Sequence, residues 1–111
     1  MEVNKQDREN YLYIQPIGKI DTLSAPSFEA ALGEYVKKGI TCVVDFSDTS
    51  YITSAGLRVV MVAAKKSASA QGQFILCGMN TVVQNVFDIS GFNKILTIYP
   101  DLTTAELAIN K

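Results

Sequence analysis

The sequence contains no histidine and only two cysteines among its 111 residues. Without histidine there is no Ser–His or Cys–His pair, no side chain that titrates unperturbed near neutral pH, and no copy of the commonest metal ligand. Cys42 and Cys77 lie too far apart to form a CxxC motif, and each stands inside an apolar run, which predicts two reduced thiols in the core. We therefore expect a protein without enzymatic activity, bound metal or cofactor.

An excess of charge of one sign is also lacking. Ten Lys and Arg residues against eleven Asp and Glu residues give a net charge of −1, which speaks against a nucleic-acid-binding surface. No apolar run approaches the roughly 18 residues of a membrane-spanning helix, and the first ten residues lack the apolar stretch of a signal peptide. We expect a cytoplasmic protein that does not insert into a membrane. The length is sufficient for one domain, covering residues 1–111.

The hydrophobic periodicity alternates between that of strands and that of helices. It predicts strands over 2–7, 11–18, 41–46, 73–78 and 94–99, and helices over 23–38, 54–70, 81–90 and 103–109. A turn over 6–10 makes the first two strands antiparallel, and residues 47–53 are predicted as a loop. The order ββαβαβαβα predicts an α/β fold, with a mixed sheet of about five strands and about four helices.

Several details of these elements are predicted as well. Pro16 cannot donate to a β-ladder, so its strand is expected at a sheet edge or with a bulge there. Thr103 is expected to cap the last helix, with Glu106 three residues on. The second helix is expected to bury one face, consisting of Leu57, Val60, Met61, Ala64 and Ala68. The predicted core consists of Val43, Val44, Leu57, Met61, Ile75, Leu76 and Phe87.

A functional site is predicted where the parallel strands end. Their carboxyl ends share one edge of the sheet, which brings together residues 20–22, 47–54 and 78–80. The middle segment is rich in hydroxyl side chains and leads directly into a helix. Thr53 and Ser54 are expected either to cap that helix or to place an anion at its start. The segment matches neither a P-loop nor a nucleophile elbow, which again argues against catalysis.

The motifs GKID, VVDFSDTSYITSAGLRVV and FILCGMNTVVQNVFDISGFNKILTIY identify the chain as resembling a STAS domain of the anti-sigma factor antagonist type. The resemblance runs from about residue 3 to residue 109. Asp45, Phe46 and Ser47 match the end of the family's third strand, and residues 54–57 match its Ser-Ala-Gly-Leu helix start. The segment VFDISGF matches the family's third helix and its glycine stop.

This resemblance implies a bacterial switch protein that regulates transcription in a stress response. It implies that a serine kinase of the GHKL type, itself an anti-sigma factor, binds the unmodified protein and phosphorylates Ser54. A PPM-type phosphatase then restores the unmodified form. The resemblance places Asp21 close to the phosphoacceptor. The expected partner surface consists of Asp21, Ile52, Thr53, Gly56, Leu57, Arg58 and Met79.

Two residues depart from the family pattern. Thr53 stands where the family usually has Asp, which makes it an alternative phosphoacceptor. Arg58 stands where small residues are common; it meets an acidic partner, pairs with the phosphate, or is merely solvated. The resemblance also leaves a second function open, that of an accessory subunit which binds the ATPase of an ABC lipid transporter.

Overall fold

The computed structural model describes residues 1–36 and 38–109, which form six strands and four α-helices. The strands are β1 (Glu2–Asp7), β2 (Leu12–Ile20), β3 (Thr41–Asp45), β4 (Thr49–Ile52), β5 (Gln73–Cys77) and β6 (Thr97–Tyr99). The helices are α1 (Ala25–Val36), α2 (Ser54–Ser69), α3 (Thr81–Ser90) and α4 (Leu102–Ile109). The predicted α/β fold with a mixed sheet is confirmed. No helix among these residues is long and apolar enough to cross a bilayer.

The sheet has the strand order β1-β2-β3-β5-β6, and β4 pairs with β2 outside that path. Only β1 is antiparallel to its neighbour among these strands; all the other described pairs are parallel. The strand β2 pairs with β3 through residues 12–14 and with β4 through residues 18–20. Pro16 falls between these two stretches, where its missing N–H interrupts neither parallel ladder. The prediction of an edge strand is therefore wrong, and the irregularity lies between Gly18 and Lys19 instead.

The loop predicted over 47–53 contains a strand, β4. Thr49, which is buried, donates from its hydroxyl to the carbonyl oxygen of Pro16 over 3.0 Å. The hydroxyl-rich composition hid this strand, because Thr49–Ile52 is short and only its end is apolar. The last strand is also shorter than predicted: a 3₁₀ turn over Phe92–Lys94 follows Gly91, and β6 begins only at Thr97.

The sheet buries apolar side chains on both of its faces. Alternation along the strands separates them: Leu12 and Ile14 pack with α1, α2 and α3, whereas Tyr11 and Tyr13 lie on the opposite face with α4. The first face carries the larger cluster, which includes Phe28, Leu32, Val44, Phe46, Val60, Leu76 and Phe87. Six of the seven predicted core residues are buried, and Met61 is only partly buried.

The buried face of α2 differs from the predicted one. Its buried residues are Gly56, Leu57, Val59, Val60, Ala63 and Ser67. Met61 and Ala64 are only partly buried, and Ala68 is exposed. The buried residues from Gly56 to Ser67 follow regular helical spacing, but the first is a glycine and the last a serine, and neither is strongly hydrophobic. A prediction that counts only apolar residues overlooks both, so the predicted buried face of α2 is shifted from the observed one.

The helix ends show which capping predictions succeed. Asn80 caps α3, and Gly91 ends it in the left-handed conformation with φ 79°, at the predicted stop. The cap of α4 is Asp101, whose carboxylate accepts from the amide of Thr104 over 2.8 Å; the prediction of a Thr103 cap is wrong. Glu106 instead accepts from the hydroxyl of Tyr11 over 2.7 Å. Lys37, within the predicted first helix, lies outside the described residues.

Candidate functional site

Three chain segments meet at the carboxyl ends of the strands, as predicted. The amide of Thr53 donates to the carbonyl oxygen of Ile20 over 2.9 Å, which joins the end of β2 to the start of α2. The side-chain amide of Asn80 donates to the carbonyl oxygens of Thr49 and Ser50 over 3.1 and 3.3 Å. The ends of β2, β4 and β5 therefore form one surface around the first turn of α2.

The hydroxyl groups at the start of α2 do not cap the helix. Thr53 is the N-cap residue, with extended backbone angles and no side-chain capping bond; its hydroxyl lies 3.4 Å from the carbonyl oxygen of Ile20. Ser54, the first helical residue, is exposed, and its hydroxyl has no hydrogen-bond partner among the described residues. The first turn of α2 also contains no acidic residue. This helix start therefore keeps unpaired amides that favour an anion.

Gly56 allows α2 to lie directly on two buried isoleucines. A Cβ atom at this position would lie 2.5 Å from Cγ1 of Ile52 and 2.7 Å from Cγ2 of Ile20. Both isoleucines are buried at the ends of their strands. The glycine that the sequence places in the first turn of α2 is thus required by helix–sheet packing. This close contact fixes the height of Ser54 above the sheet.

Asp21 stabilises the turn that leads into α1. Its Oδ1 atom accepts from the amides of Leu23 and Ser24, each over 3.0 Å. The hydrogen bond from the Ser24 backbone is the main reason that the pKa of Asp21 lies below its ordinary value. The carboxylate is therefore ionised near neutral pH, next to the segment that carries Thr53. Besides any contact with a partner, Asp21 has a structural role that the sequence analysis did not assign.

Asp45 anchors the loop between β3 and β4. It is 5% exposed, and it accepts from the hydroxyl of Tyr13 over 2.6 Å and from the amide of Ser47 over 3.0 Å. Burial, and then the hydrogen bond to Asp45, raise the pKa of Tyr13. Gly78, with φ 74°, lies against the same carboxylate and leaves no room for a side chain. Asp45 is thus a structural residue that joins the end of β3 to Tyr13 and to the start of the following loop.

The predicted partner residues lie at different depths in this surface. Ser54 and Arg58 are exposed, and Asp21, Thr53 and Met79 are partly buried. Ile52, Gly56 and Leu57 are buried, so they shape the surface from below rather than offering side chains to a partner. Tyr13 was not predicted to take part. Asn80 belongs to the predicted segment 78–80, but its capping role was not predicted; its position before an apolar helix was the signal that could have revealed it.

Comparison with known proteins relates this fold to a protein family. The sequence profile of the STAS domain matches residues 2–105. The chain is 41% identical over 92 residues to BtrV of Bordetella bronchiseptica, whose name places it among the anti-sigma factor antagonists; the match covers 82% of this chain and 77% of that protein. It is 32% identical over 99 residues to the anti-sigma-B factor antagonist of Listeria monocytogenes, with 88% and 86% of the two chains covered.

Solved structures share the fold at lower sequence identity. An anti-sigma factor antagonist from Mycobacterium paratuberculosis superposes with a TM-score of 0.90 at 23% identity, over 99% of this chain and 94% of that one. SpoIIAA, another anti-sigma factor antagonist, matches in its unphosphorylated form with a TM-score of 0.80 at 17% identity, over 99% and 98%. Its phosphorylated form matches with a TM-score of 0.72 at 16% identity, over 96% and 99%. Because the profile spans nearly the whole chain and two relatives exceed 30% identity, the protein belongs to the STAS domain family.

Proposed function

We propose that this protein is an anti-sigma factor antagonist that acts by partner switching in the cytoplasm and regulates transcription in a stress response. The names of its relatives from Bordetella and Listeria support this function. The observation that carries it is the exposed hydroxyl of Ser54, which has no hydrogen-bond partner in the described structure and stands at the first position of α2. A kinase needs such a hydroxyl, free to enter its active site.

The partner in this proposal is a GHKL-type serine kinase that is itself the anti-sigma factor. It binds the unmodified protein, which frees the sigma factor. In the switching step the hydroxyl oxygen of Ser54 attacks the γ-phosphorus of ATP, its proton passes to a base on the kinase, and ADP leaves. A PPM-type phosphatase hydrolyses the phosphoester and restores the unmodified form. The protein itself is a substrate and binding partner, not an enzyme.

The switch follows from charge rather than from refolding. A phosphate adds about −1.5 to −2 charges at neutral pH. In the free protein the start of α2 provides donors and solvent screens the charge. In the complex the phosphate would be desolvated beside the ionised Asp21. An unpaired buried charge costs about 3–5 kcal/mol, which corresponds to roughly 150- to 5,000-fold in affinity.

Mass spectrometry after incubation with the cognate kinase and ATP tests the phosphoacceptor. We expect one phosphate, on Ser54, that is absent from Ser54→Ala and retained in the matched control Thr53→Ala. Phosphate that persists in Ser54→Ala would overturn the assignment. Capture of partners from the native host tests the function: a GHKL kinase supports it, whereas an ABC transporter ATPase would overturn it in favour of the transporter subunit.

Titration calorimetry against the kinase with ADP tests the switch. Ser54→Ala is expected to bind like the unmodified protein, and Ser54→Asp is expected to bind much more weakly with an unchanged circular dichroism spectrum. Phosphorylated and unphosphorylated protein that bind the kinase with equal affinity would refute the electrostatic mechanism.

A further inference from the structure

Arg58 lies one helical turn after Ser54 on the surface of α2. Residues four apart on a helix share one face, and helical side chains lean toward the N-terminus. A residue at position 58 therefore covers the turn that begins with Ser54. Arg58 is exposed, and it lines a depression of about 230 Å³ between the starts of α1 and α2, together with Pro26 and Ala55; Ser54 lies outside that lining. The four-residue spacing along α2 is what places the guanidinium group within reach of a group attached to the Ser54 hydroxyl.

Before modification, no acidic group in the described structure holds Arg58. Its side chain forms no ion pair, hydrogen bond or ring contact with the described side chains and backbone, which leave out the side chain of Glu34. Glu29 lines the same depression, but it does not come within ion-pair distance of Arg58. The carboxylate of Asp21 is occupied by the amides of its own turn. The guanidinium group is therefore available when an anion appears one turn away.

We propose that Arg58 binds the phosphate of phosphorylated Ser54 and clamps it over the first turn of α2. The inference rests on the proposed function in one respect, that Ser54 is the phosphoacceptor. A guanidinium group presents a planar pair of N–H donors that matches two phosphate oxygens, and an anion four residues before a cation is the favourable order on a helix. Phosphorylation then acts twice on the partner surface, since it adds an anion and also engages the exposed cation.

The clamp can be tested without a kinase, by installing phosphoserine at position 54 during translation. Phosphorus NMR then follows the second ionisation of the phosphate, whose ordinary pKa is about 6. We expect this pKa to be lower in the otherwise unaltered protein than in Arg58→Gln, by at least about 0.15–0.4 of a unit, the value of an exposed pair four residues apart. Arg58→Lys is expected to fall between the two. All three proteins keep the same helix start, so their differences isolate the side chain at position 58.

The matched control is Lys65→Gln, which removes an exposed cation from α2 more than one turn beyond Arg58. This change is expected to leave the pKa of the phosphate unaltered. Equal pKa values in the unaltered protein and Arg58→Gln would overturn the clamp, as would an increase on removing Lys65 that equals the increase on removing Arg58. A second readout is the Arg58 Nε–H resonance, which is expected to shift when phosphoserine is present; an unmoved resonance contradicts the proposal even if Arg58→Gln fails to fold.

These outcomes are separable from those of the proposed function. A clamp measured on installed phosphoserine stands whether or not a GHKL kinase is found. Conversely, kinase binding that depends on Ser54, together with a pKa that does not respond to Arg58, would refute the clamp and leave the partner switch intact.

Discussion

The tightest packing at the site predicts the result of replacing Gly56 by alanine. Helix propensity alone favours alanine by about 1 kcal/mol. The added methyl group would, however, lie 2.5 Å from Ile52 Cγ1 and 2.7 Å from Ile20 Cγ2. Both contacts involve carbons bonded directly to the Cβ of a branched side chain that is buried at the end of its strand. Core packing around each isoleucine opposes rotation of its side chain, so α2 is expected to shift instead.

Whether Gly56→Ala stabilises or destabilises the protein depends on the cost of overpacking relative to the gain in helix propensity. Overpacking of a core costs about 1–3 kcal/mol, and two rigid contacts place this site toward the upper end. After subtracting the gain in helix propensity, Gly56→Ala is expected to lower the free energy of unfolding by about 1–2 kcal/mol. For a domain of this size that corresponds to a decrease of roughly 4–8 °C in the melting temperature. Because the displaced turn carries Ser54, phosphorylation of Ser54 is expected to slow as well.

Thermal and urea unfolding followed by circular dichroism measure this effect, and Gly33→Ala provides the matched control. Gly33 also lies inside a helix, α1, but nothing stands within 4 Å of the position of its missing Cβ. This control is expected to be stabilised by up to about 1 kcal/mol. If Gly56→Ala is as stable as the unaltered protein while Gly33→Ala gains stability, the packing of α2 on Ile20 and Ile52 is not what requires the glycine.

Three further predictions concern the thiols, the turn of α1 and the cap of α3. Burial raises the pKa of the Cys42 thiol to about 11 and that of Cys77 to about 12. We therefore expect neither thiol to react with a thiol-specific disulfide reagent at pH 8 until urea unfolds the protein. Rapid labelling of the native protein would contradict their burial. The hydrogen bonds that lower the pKa of Asp21 stabilise the fold at pH values above the ordinary pKa of 3.8, and this stabilisation is lost as the pH falls through the pKa of the folded state. The acid-induced decrease in melting temperature is therefore expected to be shallower in Asp21→Asn. Identical pH profiles of the two proteins would refute this prediction. Asn80→Asp keeps the acceptor for the amide of Val83 but loses both donated hydrogen bonds to the carbonyl oxygens of β4. It is expected to lower the free energy of unfolding by about 1–3 kcal/mol. Unchanged urea unfolding would show that these hydrogen bonds to β4 are dispensable.

Strong local signals were sufficient for most of the fold. The apolar runs of β3 and β5 are surrounded by sheet and helices on both sides, so composition alone identifies them. Gly91 stops α3 because a left-handed residue there suits glycine, a preference that acts locally. The convergence of the three strand ends also followed from the sequence, since right-handed crossovers leave few alternatives once the elements are ordered.

The features that sequence could not provide depend on contacts between distant segments. The strand β4 has few apolar residues, and it is extended because β2 offers it a ladder at residues 18–20. Gly72, just after α2, has no room for a side chain because the carbonyl oxygen of Ile40, more than 30 positions away, lies 2.5 Å from where its Cβ would be. Tyr13 finds Asp45 across 32 positions of the chain. None of these contacts leaves a trace in local periodicity, because each partner is chosen by the assembled sheet.

The packing around the Ser54 segment fits the proposed switch, in which a charge is the signal. The strand β4 has one strand neighbour in the described sheet, β2, and the Asn80 side chain bonds two of its carbonyl oxygens. Gly56 then seats α2 on the ends of β2 and β4, so Ser54 is fixed by contacts from both sides. These contacts oppose a rearrangement of the segment when a phosphate is added. In the proposed switch, modification therefore acts on what the surface presents to a partner, which is the sign and placement of charge at residues 54 and 58.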